Sequence, residues 1–94
     1  MELSYRIEYD GDYEIILIFY GQRLIVEDIV LGFDTAKDYF ENYVQNLRVD
    51  NMNAFGVSEW WIADMNGLVF DGVHESQKEA MKKLDSLKLV LENQ

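Results

Sequence analysis

The 94-residue chain has no cysteine, no proline, one histidine, and eight Lys plus Arg against eighteen Asp plus Glu. Each shortage excludes something. Without cysteine there is no disulfide, no thiol nucleophile and no thiolate-bound zinc. A lone His74 rules out a multi-histidine metal site within one chain and argues against a Ser-His-Asp triad. A phosphate-binding surface needs clustered Lys and Arg, so a net charge of −10 disfavours direct nucleic-acid binding, and Lys78, Lys82, Lys83 and Lys88 read as a solvated helix face. The longest apolar run, Ile15–Tyr20, falls far short of the ~20 residues of a membrane span. The first residues, Met-Glu-Leu-Ser-Tyr-Arg, lack the basic and apolar stretches of a signal peptide. A cytoplasmic location with no membrane partner is the expectation. The nucleotide-binding glycine patterns and the G-x-S-x-G elbow are also missing. No catalytic residue, cofactor or metal is therefore expected, and the protein is read as a non-enzyme.

What is present is a foldable composition. The chain is 49% hydrophobic and 14% aromatic, too apolar to be disordered and too short for two independent cores. One α+β domain over 1–94 is expected. Leu3–Tyr9 alternates, with Leu3, Tyr5, Ile7 and Tyr9 on one face and Ser4, Arg6 and Glu8 on the other, as a half-buried strand does. Tyr13–Tyr20 and Arg23–Val30 read as further strands. A three-residue loop, Asp10-Gly11-Asp12, would pair Tyr9 with Tyr13, Ile7 with Ile15 and Tyr5 with Leu17. Gly21-Gln22 fits a two-residue turn pairing Phe19 with Leu24 and Ile18 with Ile25.

Asp34 or Thr35 can cap a first helix whose stripe is Ala36, Tyr39, Phe40, Tyr43, Val44 and Leu47. Arg48–Phe55, carrying Asp50, Asn51 and Asn53, reads as a loop. Val57–Met65 and Leu68–Phe70 form a hairpin through Asn66-Gly67. Ser76-Gln77-Lys78-Glu79 is a capping box for a second helix with the stripe Ala80, Leu84, Leu87 and Leu91. Its tail, Lys88–Leu91, has a short strand as the alternative. The expected fold is thus an antiparallel sheet of about five strands, β-β-β-α-β-β-α, with two helices on one face. A hairpin followed by a capped helix occurs twice, giving candidate half-repeats at 13–48 and 57–91.

With that register the open sheet face would show Ile16, Ile18, Tyr20, Ile25, Trp60 and Ile62 beside Glu8, Glu14, Glu27, Asp64 and Asp71. Trp61 would point into the core, because neighbours on a strand face opposite ways. Exposed apolar surface of this size marks an interaction site, unless another element covers it.

Acids cluster in three places: Glu8, Asp10, Asp12 and Glu14 at the first hairpin; Glu27 and Asp28; and Asp34, Asp38 and Glu41 on the first helix. The expected pairing sets Glu8 opposite Glu14, unfavourable without a basic partner. The Asp10–Glu14 stretch offers alternating oxygen ligands. As a calcium loop it has Ile15 and Gly21 where position six requires Gly and position twelve Glu, so a calcium site is disfavoured. A solvated acidic surface that maintains solubility is the plainest reading. The sharper one is a docking face for a basic protein, with carboxylates standing where phosphates would. A globule of this length is ~32 Å across, and duplex DNA of that length carries on the order of 19 charges. Net −10 makes any mimicry partial.

The functional expectation is a non-enzymatic, acidic protein-binding module. Its most specific form is an inhibitor of a basic, nucleic-acid-handling protein, analogous to immunity or phage anti-defence proteins. Contacts are expected from Glu8, Asp10, Asp12, Glu14, Glu27 and Asp28, with Ile18, Tyr20 and Trp60 as apolar contributors. The alternative is a structural or regulatory module that homodimerises through the open sheet.

Overall fold

The computed structural model describes residues 1–93. The order is β1 (Leu3–Asp10), β2 (Tyr13–Tyr20), β3 (Arg23–Ile29), α1 (Ala36–Gln45), β4 (Arg48–Ala54), β5 (Val57–Ala63), β6 (Val69–His74), α2 (Gln77–Lys88) and a 3₁₀ helix, Leu89–Asn93. The class is α+β, but the strands form two three-stranded antiparallel sheets, β1-β2-β3 and β4-β5-β6, not one sheet of five. The additional strand is β4, expected as a loop. The tail expected as a helix end or strand is the 3₁₀ helix. Residues 1–42 and 43–94 form two compact units, with the division inside α1. Among the described residues no helix is long and apolar enough to cross a membrane.

In the first unit the β1–β2 connection is a two-residue turn, Gly11-Asp12, with Gly11 at φ +60°. A glycine at the first central position is what the II′ hairpin turn requires, and its twist matches the strands. The register is therefore Asp10 opposite Tyr13, Tyr9 opposite Glu14, Ile7 opposite Ile16 and Tyr5 opposite Ile18. This is one residue away from the expected three-residue loop. Because side chains alternate, a slip of one turns the whole of β2 over. Ile16 and Ile18 are 0% exposed and Tyr20 is buried. They share a face with Leu3 and with Tyr5, whose ring lies 4.7 Å from that of Phe40 on α1. Ile18 and Tyr20 are thus core residues, not surface anchors.

The β2–β3 turn is Gly21-Gln22, and Phe19 faces Leu24 as expected. A bulge then pairs Ile18 with Val26 and makes Ile25 the extra residue. Thr35, rather than Asp34, caps α1: its Oγ1 accepts from the Asp38 N–H at 3.1 Å. The stripe falls where the spacing puts it, with Ala36, Phe40, Tyr43, Val44 and Leu47 buried and Tyr39 half-buried.

In the second unit β4 and β5 pair without interruption from Arg48–Ala63 to Ala54–Val57. Asn51 locks the ribbon from one face, its Nδ2 donating to Ser58 Oγ at 2.6 Å and to the Glu59 carbonyl at 3.1 Å. Trp60 lies on the face of Ile62, which is 0% exposed, and Trp61 lies on the other, with its indole over Gly72. Ile62, expected on an open face, is therefore buried, while the two tryptophans are both half-buried, one on each face of β5 as expected. The β5–β6 turn is Met65-Asn66-Gly67, one residue longer than Asn66-Gly67. Asp64 and Leu68 close it, with Gly67 N–H donating to the Asp64 carbonyl at 3.1 Å. Asp64, expected on an open face, is 1% exposed. Its Oδ1 accepts the Asn66 and Leu68 N–H groups, each at 2.9 Å, and its Oδ2 accepts the Tyr43 hydroxyl at 2.8 Å.

Ser76 caps α2 by accepting from Glu79 N–H at 3.2 Å. Glu79 reaches back to the Glu75 N–H at 3.3 Å, one residue before the expected box partner. Ala80, Leu84 and Leu87 are buried and Leu91 is half-buried.

Candidate functional site

The acids expected to make contacts all belong to the first sheet, but the register divides them. Rows across the sheet read Arg6–Leu17–Glu27 and Glu8–Ile15–Ile29, and Asp10 stands opposite Tyr13. These residues share the face opposite Phe40. Glu14 is on the other face with Tyr9, and Asp28 is there with Ile7 and Ile16. Asp12 sits in the turn between. Glu8 and Glu14 are therefore on opposite faces and do not confront each other.

The individual acids differ in freedom. Asp28 is tied into the fold: Oδ2 accepts the Tyr39 hydroxyl at 2.6 Å and Oδ1 accepts the Ile29 N–H at 2.9 Å. It holds α1 to β3, which the sequence reading missed. Glu8 is 3.4 Å from the Arg6 guanidinium, and both are exposed. An exposed pair of that length is worth little. Arg6 also lies 5.1 Å over the Phe19 ring, its stem covering apolar surface. Asp10, Asp12 and Glu27 are exposed.

The apolar component differs from the expected one. Tyr13 is 57% exposed, Leu24 46% and Ile29 37%, on the face that carries Glu8, Asp10 and Glu27. Ile15 and Phe19 are half-buried between them and Leu17 is buried. Tyr9 and Ile7 emerge on the other face of the same hairpin end. The expected register, with Ile16, Ile18 and Tyr20 on the open face, turns Leu24 and the half-buried Ile15 and Phe19 inward and so hides this surface. The missed signal was Gly11 itself, whose position fixes the two-residue turn.

The result is an amphipathic end to the first sheet: exposed Tyr9, Tyr13 and Ile29 among Glu8, Asp10, Asp12, Glu14 and Glu27. Glu8 and Asp10 lie two residues apart on one strand, ~6.8 Å along it. Arg6 is the one base on this hairpin. Charge is uneven between the units: ten acids against three bases in 1–42, net −7, and eight against five in 43–94, net −3. Among the described residues no three carboxylate or imidazole side chains converge as a metal centre would require.

Trp60, the remaining expected contact, lies in the second sheet, half-buried between Asn51 and His74. His74 is not in a loop. It ends β6, with Nε2 2.6 Å from Asp71 Oδ2 and both side chains largely buried. A carboxylate that orients an imidazole is half of a general-base arrangement. The neighbour that the register sets beside it, however, is the Trp60 indole, which is not a nucleophile. No family model matches this chain, and neither a curated protein nor a solved structure matches it.

Proposed function

We propose that this chain is a non-enzymatic, acidic protein-binding module, and that its partner is a basic protein that handles nucleic acid. The observation that carries the reading is the β1–β2 end of the first sheet. There Glu8, Asp10, Asp12 and Glu27 surround exposed Tyr13 and Ile29. Carboxylates of one sign supply long-range attraction and orientation to a basic partner. The aromatic and aliphatic side chains supply the short-range contact that holds it. A surface made only for solubility has no need of the second component. Inhibition then follows from occupancy, because the acids sit where the partner would receive phosphates.

The test is charge reversal at the tip. Asp10→Lys, Asp12→Lys and Glu14→Lys together change local charge by six units on exposed or half-exposed positions. A basic protein retained by the native chain at low salt, and displaced by high salt or competing duplex DNA, should be lost by the triple variant while its unfolding midpoint is unchanged. Retention by a folded triple variant contradicts the site.

Homodimerisation is the second reading, favoured by Leu24 and Ile29 exposed on the same face. Light scattering separates the two: a salt-resistant dimer that Leu24→Lys converts to monomer supports self-association, and a salt-insensitive monomer removes it.

A further inference from the structure

The β4–β5 hairpin ends in an exposed tip without charge. From Asn51 to Ser58 no residue is ionisable, in a chain that is 28% charged. Ala54 faces Val57, so the turn residues are Phe55 and Gly56. Both have positive φ, +54° and +78°. That is the I′ turn, for which Asn-Gly is the common solution because asparagine and glycine tolerate this region. Phe55 stands in the asparagine's place. Among the described residues it is the one non-glycine at positive φ, and a bulky side chain is strained there. Nothing inside the fold offsets the strain, since Phe55 is 105% exposed.

Its surroundings point the same way. Met52 is 51% exposed and Val57 59%, and the register sets both on one face of the ribbon. The hydrogen bonds of Asn51 to Ser58 and Glu59 brace the other face just below the tip. The ribbon thus presents an aromatic ring on a stiff stem, with two aliphatic side chains at its base. Strained backbone clusters at functional sites, and here it is kept at a fully exposed position.

We propose that this tip is an insertion element: Phe55, with Met52 and Val57 at its base, enters an apolar pocket on a partner protein. A rigid aromatic side chain is suited to that role, because ordering it costs little entropy. Charge decides against a lipid surface. Membrane-associating apolar tips rely on flanking Lys and Arg against anionic headgroups, whereas this tip has neither and the chain carries −10. The inference does not rest on the acidic surface, which lies in residues 1–42. An apolar anchor acts on dissociation and is insensitive to salt, while the acids act on association and are screened by it.

The experiment has two arms. In the first, Phe55→Asn is compared with the native chain by thermal unfolding. Relief of the strain should raise Tm by about 4–8 °C; an equal or lower Tm overturns the claim that Phe55 is held at a cost. In the second, Phe55→p-benzoylphenylalanine is introduced into the full chain and irradiated in a native lysate of the cells that make it. Substitution at exposed Gln22, on a different hairpin, is the control. The expected result is a covalent adduct with one other protein, formed at position 55 but not at 22 and unchanged between low and high salt. Excess native chain should suppress it, and the Phe55→Asn chain should need about thirtyfold more to do so. Adducts to a second copy of the chain, to lipid, or to nothing beyond the control overturn the proposal, as does equal competition by Phe55→Asn.

Discussion

Asp64 is the residue whose replacement should reveal most about what holds the second unit together. Its carboxylate is 1% exposed and accepts three hydrogen bonds, from the Tyr43 hydroxyl and from the Asn66 and Leu68 N–H groups. It therefore ties the end of α1 to the β5–β6 turn. Asp64→Ala removes the acceptor from all three donors and leaves a small void. Hydrogen bonds to charged groups contribute ~1.5–3 kcal/mol each, but they share one side chain and do not add fully. A loss of about 3–5 kcal/mol is expected. A domain of this length has ~5–14 kcal/mol in total, so the variant should fold but unfold at markedly lower urea. Asp64→Asn is the discriminating control. Its carbonyl oxygen can keep the two backbone donors, and its amide can donate to the Tyr43 oxygen. About 1 kcal/mol is the expected cost. Tyr43→Phe removes one bond and should fall between, at roughly 1–3 kcal/mol. Urea titration followed by fluorescence reads all three, because Trp60 and Trp61 lie in the same sheet. The reasoning fails if Asp64→Ala stays within about 1 kcal/mol of native, or if Asp64→Asn is as damaging as Asp64→Ala.

Three further substitutions test the packing and the register. A Cβ added at Gly72 would lie 2.7 Å from Trp61 Cδ2, so Gly72→Ala must displace the indole. A loss of ~1–3 kcal/mol and a changed near-ultraviolet circular dichroism spectrum are expected; an unaltered spectrum would mean the ring does not lie over residue 72. The β1–β2 register is tested by a contrast: Ile18→Ala should cost ~2–5 kcal/mol and Leu24→Ala about 1 kcal/mol or less. The opposite order would restore the three-residue loop.

How much was legible in the sequence depended on whether local chemistry or long-range pairing fixed each feature. Helices were legible because Thr35 and Ser76 carry their own cap acceptors and the stripes repeat at helical spacing. Strand faces were not. β1 alternates cleanly, and its Leu3 and Tyr5 went to the packed face as read. Ile15–Tyr20, by contrast, is apolar at every position, so alternation offers no choice. The face is decided by the turn alone, where two residues or three reverses every side chain. The same degeneracy at Trp60-Trp61-Ile62 concealed the burial of Ile62. β4 was invisible because Asp50, Asn51 and Asn53 are poor strand formers; its pairing with β5, and the Asn51 bonds across the ribbon, make it a strand. The candidate surface inherited these errors. The acids at the hairpin tip were legible as charge density, but their apolar companions became Tyr13, Leu24 and Ile29 once Ile18 and Tyr20 had gone to the core.

The central claim is that the acidic end of the first sheet recruits a basic protein. Its most direct test is the ionic-strength dependence of the association rate, measured for the native chain and the Asp10→Lys, Asp12→Lys, Glu14→Lys variant against the protein that the native chain retains. Electrostatic recruitment predicts a rate that falls steeply as salt rises for the native chain, and a slower, nearly flat dependence for the variant. A native rate indifferent to salt, or a variant that follows the native curve, would contradict it.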